Sequence, residues 1–201
     1  DLVPGALTVE GSNGVIESGG TVVVRWTIDN AGDLPATGPW QERVIVRNLD
    51  RGGEVLLNDV VTFDGASLEA GASAERSVEL RLPDGARGAG RLSFEVITDI
   101  ANAVAEAGAG GEGENNNSLT IQATSALALY PDLVVSEVRV EPAAGWAPGS
   151  PVTVHWRVSN TGTAPVTTGW MDGIQVRNQS TGVVVFSGES AALLEPGATL
   201  A

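Results

Sequence analysis

One stretch of eleven residues occurs twice in this chain, and it constrains the fold more than any other feature. The first copy reads VVVRWTIDNAG over residues 22–32 and the second reads VTVHWRVSNTG over residues 152–162. Because Trp, Asn and Gly recur at the same spacing, the match identifies a repeated structural unit. Each copy alternates apolar and polar residues and stops at Asn-x-Gly, which predicts a half-buried β-strand that ends in a turn.

Side-chain alternation separates the two faces of this repeated strand. Successive side chains of a strand point to opposite faces of its sheet, so every second residue shares a face. The apolar face predicts the core side of a sandwich, with a tryptophan in each copy as a core anchor. Its residues are Val22, Val24, Trp26 and Ile28 in the first copy and Val152, Val154, Trp156 and Val158 in the second.

The rest of each copy follows the same order of short strands and turns. A short edge strand is predicted at residues 7–9, and a second paired strand begins with Trp40-Gln41-Glu42 or Trp170-Met171-Asp172. Many short strands separated by turn residues are typical of an antiparallel β-sandwich. We therefore predict an all-β fold in tandem, with a first sandwich at residues 1–124, a short linker at 125–131 and a second unit at 132–201.

The second copy is expected to be incomplete. It stops at Ala201, where the strand that matches residues 77–82 of the first copy would begin. The last two or three core strands of the second sandwich would then lie outside this sequence. Two interpretations are open: the chain is a piece of a longer tandem array, or a neighbouring chain supplies the missing strands.

Charge and composition exclude several classes of partner. The chain has 25 acidic residues against 11 basic ones, all of them Arg, for a net charge of -14. Such a surface repels nucleic acid and anionic lipid, which bind basic surfaces. No apolar run reaches the roughly 18 residues that cross a bilayer, so we predict no nucleic-acid partner and no direct membrane insertion. The absence of Cys excludes disulfides and Cys-based zinc sites.

An acidic loop between two neighbouring predicted strands is the candidate site for a metal ion. Calcium takes roughly 6 to 8 oxygen ligands from carboxylates, amide side chains and backbone carbonyls. One interpretation is therefore a calcium site, and the other is a solvated loop whose Asn residues cap turns. The candidate ligands are Asp99, Asn102, Glu106, Glu112, Glu114, Asn115 and Asn116, followed by Asn117.

No catalytic residue is predicted. Glu42 and Asp172 recur on the core-face parity of their strands, where a salt bridge with a nearby Arg, a turn cap or an ion contact would each explain them. His155 is the single histidine and lies on the outer face, where the first copy has Arg25, so a catalytic triad has no support. Trp146 has no partner in the first copy and is either an exposed aromatic suited to stacking on sugar rings or a loop residue covering the sandwich end.

In order along the chain, these motifs resemble the CARDB repeat, the cell-adhesion-related domain found in bacteria. The resemblance implies an immunoglobulin-like β-sandwich within large secreted or surface-attached prokaryotic proteins, without enzymatic activity of its own. A Gly/Ala insertion after Glu106 departs from the family pattern and separates that residue from the acidic ending. The motifs are Asp1-Leu2-Val3, Trp26 with Asn30-Ala31-Gly32, Trp40-Gln41-Glu42, Leu68-Glu69-Ala70-Gly71, Leu82-Pro83, and Asp99-x-x-Asn102 leading to Glu106 and Glu114-Asn115-Asn116-Asn117.

We therefore expect a non-catalytic extracellular spacer or adhesion module of a large bacterial surface or secreted protein. Its expected partners are neighbouring repeats of the same parent protein and a protein or glycan ligand on a surface. Two alternatives are open: an accessory domain attached to a secreted hydrolase, and a fibre subunit completed by strand donation from a neighbouring chain.

Overall fold

The computed structural model describes residues 1–65, 67–106 and 113–192, apart from the side chains of Glu114, Ala191 and Ala192. The chain divides into two compact units, Asp1–Ala128 and Leu129–Ala201. The predicted all-β class is confirmed, because β-strands account for nearly all of the regular structure. No helix in the described ranges is long and apolar enough to span a membrane.

The strands of the first unit are β1 (Leu2–Gly11), β2 (Thr21–Asn30), β3 (Ala36–Thr37), β4 (Trp40–Asn48), β5 (Glu54–Phe63), β6 (Ser67–Leu68), β7 (Ser73–Arg81), β8 (Gly90–Ile97) and β9 (Ser118–Ser125). Those described in the second unit are β10 (Leu133–Glu141), β11 (Thr153–Asn160), β12 (Trp170–Arg177) and β13 (Val184–Ala192). Short 3-10 helices lie at Leu49–Arg51, Gly85–Arg87 and Gly113–Asn115.

Besides the two-residue strand pair β3-β6, two antiparallel sheets build the first unit. One has three strands in the order β1-β2-β7, and the other has four in the order β5-β4-β8-β9. Their inner faces share one hydrophobic cluster, in which Val24, Val44 and Phe94 are each fully buried. This is the two-layer arrangement of an immunoglobulin-like sandwich, as the sequence predicts.

Burial along β2 follows the predicted alternation. Val22, Val24, Trp26 and Ile28 are at most 2% exposed, while the residues between them reach the outer face. The same inward parity holds for Leu92, Phe94 and Val96 of β8. The core face predicted for residues 22–28 is therefore confirmed, and Trp26 anchors the core.

The first strand differs from its prediction. It spans ten residues instead of residues 7–9, and its pairing with β2 shifts between Gly5 and Thr8. A bulge of this kind interrupts the period of two, and Pro4 and Gly5 are weak strand formers. The start of β1 therefore carries no alternation that a sequence pattern could reveal.

A buried amide side chain explains the Asn-x-Gly that ends β2. The Asn30 side-chain nitrogen donates to the backbone oxygens of Leu34 at 2.9 Å and Leu68 at 2.8 Å, and its oxygen accepts from the Gly32 N–H at 3.0 Å. Asn160 makes matching bonds across its own turn in the second unit. The repeated Asn thus fixes the path of the chain as it leaves the strand.

The second unit repeats the first two strands of the first unit in detail. β10 pairs with β11 through the same register as β1 with β2, including a shift between Ser136 and Arg139. Within the described residues, β10-β11 and β12-β13 are separate two-stranded sheets. Val158 is 1% exposed, whereas Val152 is 41% exposed, so the repeated strand is less well covered here than in the first unit.

Candidate functional site

A carboxylate lies inside the core of the first unit. Glu42, the third residue of β4, is 0% exposed. Its Oε2 accepts a hydrogen bond from Trp26 Nε1 at 2.9 Å, and its Oε1 accepts one from Trp40 Nε1 at 3.2 Å. Arg76 completes the cluster, because its Nε donates to Glu42 Oε2 at 3.2 Å. A buried charge is tolerated only when it is paired and hydrogen-bonded, and Glu42 meets both conditions.

Strand geometry brings these four residues together. Trp40 and Glu42 are two positions apart on β4, so both side chains face the core. Trp26 lies on β2, and Arg76 on β7 is its direct partner in the antiparallel pairing. The cluster therefore joins the three-stranded sheet to the four-stranded sheet through one carboxylate.

An aromatic pair extends this cluster from Trp40 to Phe63. The rings of Trp40 and Phe63 stack with centroids 3.9 Å apart and an angle of 13° between their planes. The guanidinium carbon of Arg76 lies 5.4 Å from the Phe63 centroid, and its NH2 donates to the Thr62 backbone oxygen at 3.0 Å. Arg76 is thus held by an ion pair, a backbone acceptor and a cation–π contact.

The second unit contains the same arrangement with a shorter acid. Asp172 Oδ2 accepts from Trp156 Nε1 at 2.9 Å, and Oδ1 accepts from Trp170 Nε1 at 2.9 Å. All three side chains are half-buried. Among the described residues, the bonded partners of Asp172 are these two indoles, and no arginine is among them.

These contacts sharpen the sequence interpretation of Glu42 and Asp172. Of the three explanations left open, the ion pair with an arginine is the one found at Glu42. The indole donors were not predicted, although a Trp-x-acid motif in both copies was the available signal. Arg76 was missed because the predicted strand began one residue after it.

The acidic loop holds its two buried carboxylates against backbone N–H groups. Asp99 is 1% exposed and accepts from the N–H groups of Ala103 at 2.9 Å and Val104 at 2.7 Å. Glu106 is 7% exposed, and its Oε1 accepts from the Leu2 N–H at 2.9 Å. Both residues therefore organise the chain around the loop.

The other predicted calcium ligands do not share a common set of contacts. Asn102 and Asn115 are exposed, and the Asn116 side chain donates to Asp1 Oδ1 at 3.0 Å. Glu112 and the side chain of Glu114 lie outside the described residues. Among the side chains that are described, no three His, Asp or Glu residues come close enough to hold a metal ion. The calcium site stays a prediction of the sequence.

A titration tests that prediction. If the loop binds calcium, calcium chloride raises the melting temperature of the chain. When free calcium is ten times Kd, binding adds about 1.4 kcal/mol to the free energy of unfolding. The double variant Glu112→Gln, Glu114→Gln should lose this response and keep its melting temperature in calcium-free buffer. Sodium chloride at equal ionic strength is the control. An equal rise in melting temperature with either salt would contradict a calcium site in this loop.

Two carboxylates, the exposed Asp50 and the half-buried Glu54, have lowered pKa values, and both lie away from the tryptophan clusters. The backbone N–H of Arg91 and then its guanidinium hold the pKa of Asp50 below its ordinary 3.8. Hydrogen bonds from Arg87 and then Arg51 hold the pKa of Glu54 below its ordinary 4.5. Because both pKa values are lowered on folding, the stabilisation is present above these ordinary values and is lost as the pH falls below them.

An open apolar cleft lies in the second unit, between the β10-β11 pair and β12. Its volume is about 490 Å³. The first unit buries the matching positions, since Leu7, Val24, Val44 and Val46 are at most 8% exposed. Residues that line the cleft are Val138, Val140, Val154, Trp156, Ile174 and Val176.

Fold and cluster together define an immunoglobulin-like sandwich with a carboxylate bonded to two indoles. No family model and no curated protein matches the chain. Among solved structures, the chain is 18% identical to a CARDB domain from Pyrococcus furiosus in complex with di-metal ions, over 63% of this chain and 88% of that one, with a TM-score of 0.42.

A domain from Methanosarcina acetivorans, described as part of a cell surface protein, is 29% identical over 62% of this chain and 90% of that one, with a TM-score of 0.40. The solution structure of the Pyrococcus furiosus domain matches at 20% identity, over 63% of this chain and 98% of that one, with a TM-score of 0.39. CARDB domains are thus among the solved structures that the chain matches, as its motifs predict.

Proposed function

We propose that this chain is a non-catalytic spacer or adhesion module of a large bacterial surface or secreted protein. The proposal is supported by the kind of residue that recurs in both copies of the repeat. Glu42 and Asp172 bond two indoles each, and Asn30 and Asn160 each fix a turn, so the recurring polar residues hold the fold. A chain that duplicates the residues holding its fold adds length and surface with each repeated unit.

The partners proposed for this module are neighbouring repeats of the parent protein and a protein or glycan ligand. Trp146 is 53% exposed in the loop before β11 and donates its indole N–H to the Pro142 oxygen. Its ring therefore offers apolar surface to a ligand, as aromatic residues at interfaces do. The net charge of -14 disfavours nucleic acid and anionic membranes as partners.

Localisation tests the proposal directly. Antibodies raised against the purified chain should label intact cells of the host that makes it. Labelling that requires permeabilised cells would contradict a surface or secreted role. An accessory domain beside a secreted hydrolase would share the location, but its parent would also cleave a polymer substrate.

Binding arrays test the adhesive part of the proposal. Beads coated with the chain should bind a defined set of glycans or matrix proteins, and Trp146→Ala should reduce glycan binding. His155→Ala is the control, because that residue lies on the outer face of β11, 3.5 Å from Glu141. Equal binding by the wild type and both variants would exclude Trp146 from the ligand surface.

A second candidate function, a fibre subunit completed by strand donation, has its own support. β11 pairs on one edge only in the described residues, and the cleft beside it is lined by apolar side chains. Unpaired edges accept strands from other chains. Sedimentation velocity should then show concentration-dependent oligomers, whereas a monomer with a folded second unit at every concentration would contradict the candidate.

A further inference from the structure

We infer that residues 160–164, the entry turn, hold the chain segment that enters the second unit, and that Leu129 is the single hinge of the connection between the units. The predicted linker at residues 125–131 is then a connector with one free joint instead of a flexible tether. The inference goes beyond the spacer role and does not rest on it, because every contact that it uses lies within one unit.

The first unit holds its own chain as far as Ala128. Just after β9, the Ala126 N–H donates to the Ile16 oxygen at 2.8 Å, and the Ala126 oxygen accepts from the Ser18 N–H at 2.9 Å. Two residues further on, the Ala128 N–H donates to the Ser18 hydroxyl at 3.0 Å. Ser18 is 1% exposed, so packing fixes the acceptor as well as the donor.

The second unit holds the same chain from Tyr130 onward. The Tyr130 oxygen accepts from the N–H groups of Thr163 at 2.8 Å and Ala164 at 3.1 Å. The Tyr130 N–H donates to the Thr163 hydroxyl at 3.3 Å. Pro131 has a fixed φ and restricts the residue before it to extended conformations. Tyr130 is therefore limited both by its hydrogen bonds and by its neighbour.

The Asn-x-Gly motif forms the first part of the entry turn. The Asp132 N–H donates to Asn160 Oδ1 at 2.9 Å, and the Asp132 oxygen accepts from the Thr161 N–H at 2.7 Å. A Cβ on Gly162 would lie 2.3 Å from the Tyr130 oxygen and 2.4 Å from the Asp132 nitrogen. Glycine is required where another backbone passes this close. The segment that enters the unit thus explains the glycine of the motif.

The first unit uses its copy of the motif in the same way. The Ala31 N–H donates to the Asp1 oxygen at 2.7 Å, as Thr161 does to Asp132. A Cβ on Gly32 would lie 2.8 Å from the Asp1 nitrogen. Holding the residue before the first strand is therefore a property of the repeat.

Leu129 lies between the two held residues. Its neighbours on either side, Ala128 and Tyr130, are bonded to the first and second units respectively. In the part of the chain that the structure describes, no hydrogen bond involves Leu129, and its side chain is 68% exposed. Rotation between the units should therefore concentrate at the φ and ψ angles of this residue.

Distances between spin labels measure this restriction. The chain has no Cys, so Glu79→Cys on β7 and Gln179→Cys in the turn before β13 place one nitroxide on an exposed position of each unit. The reference is a variant with six Gly/Ser residues inserted after Leu129, because such linkers behave as flexible coils. Double electron–electron resonance should give a distance distribution at least about twofold narrower for the chain without the insertion.

Two glycines provide matched variants. Gly162→Ala places a methyl group against the Tyr130 oxygen and should widen the distribution towards that of the insertion variant. Gly173→Ala makes the same change on β12, where a Cβ would meet nothing within 4 Å, and should leave the width unchanged. Ser18→Ala removes the acceptor of Ala128 and should also widen the distribution. This variant tests the first unit's side even if Gly162→Ala disturbs the second unit.

Amide exchange followed by NMR gives a second measurement on the unaltered chain. The N–H groups of Ala128 and Tyr130 should be protected, whereas that of Leu129 should exchange faster than both. Equal exchange at all three residues would overturn the single hinge. A distribution as broad as that of the insertion variant would do the same. Equal widths for folded Gly162→Ala and Gly173→Ala would overturn the role of the entry turn. None of these outcomes depends on where the parent protein resides or what it binds.

Discussion

Glu42→Ala is expected to lower the free energy of unfolding of the first unit by about 3 to 5 kcal/mol, the range found when one partner of a buried ion pair is removed. The substitution leaves two indole N–H groups and the Arg76 guanidinium without their acceptor. Arg76 cannot simply turn to solvent, because its side chain is only 16% exposed and also contacts Phe63. Hydrogen exchange of peptides from β2 and β4 measures the loss for this unit alone.

Two variants calibrate the Glu42 result. Glu79→Ala removes an exposed acid from β7 and should change the stability by less than about 0.5 kcal/mol. Glu42→Gln keeps the volume and one acceptor oxygen but removes the charge, so its cost should lie between the two. If Glu42→Ala and Glu79→Ala had equal effects, the carboxylate would not be what joins the sheets.

Trp26→Ala is expected to cost about 3 to 5 kcal/mol, because it removes a large side chain from a closed core. Trp26 is 2% exposed, so the substitution would leave a cavity inside the core. The matched control is Trp146→Ala, the same change at a residue that is 53% exposed. Urea unfolding followed by circular dichroism should separate the two variants, and comparable losses would contradict the anchoring role of Trp26.

The two large effects should not add. Trp26 and Glu42 are in direct contact, so either substitution already removes the bond between them. The double variant should therefore lose less stability than the sum of the two single variants. A fully additive result would show that indole and carboxylate stabilise the fold separately.

The alternation of apolar and polar residues predicted the features that depend on neighbouring residues within one strand. The burial of Val22, Val24, Trp26 and Ile28 follows from period two within one strand, and so does the inward position of Glu42. Pairing between distant strands leaves no such local signal. Arg76 pairs with Trp26 across a gap of fifty residues. In the sequence alone, an arginine at a core-facing position indicates that a strand has ended, because the carboxylate that pairs with it lies elsewhere in the chain.

The acidic loop shows a different limit of sequence reasoning. A carboxylate that binds calcium and one that caps a turn have the same chemistry, since each presents oxygen acceptors to a positive or partly positive group. Asp99 uses both of its oxygens on backbone N–H groups, which its sequence context did not distinguish from ligation. Only the distances to the surrounding groups separate the two roles.

The ends of the edge strands β1 and β9 determine how the first unit would respond to a stretching force. Asn116, just before β9, bonds Asp1 at the start of β1, while Ala126, just after β9, bonds Ile16 beyond the other end of β1. A pull applied where the chain enters at Leu2 and leaves at Ser125 therefore runs along the strands. The β1-β2 hydrogen bonds lie across that line and would share the force as a set instead of opening one by one.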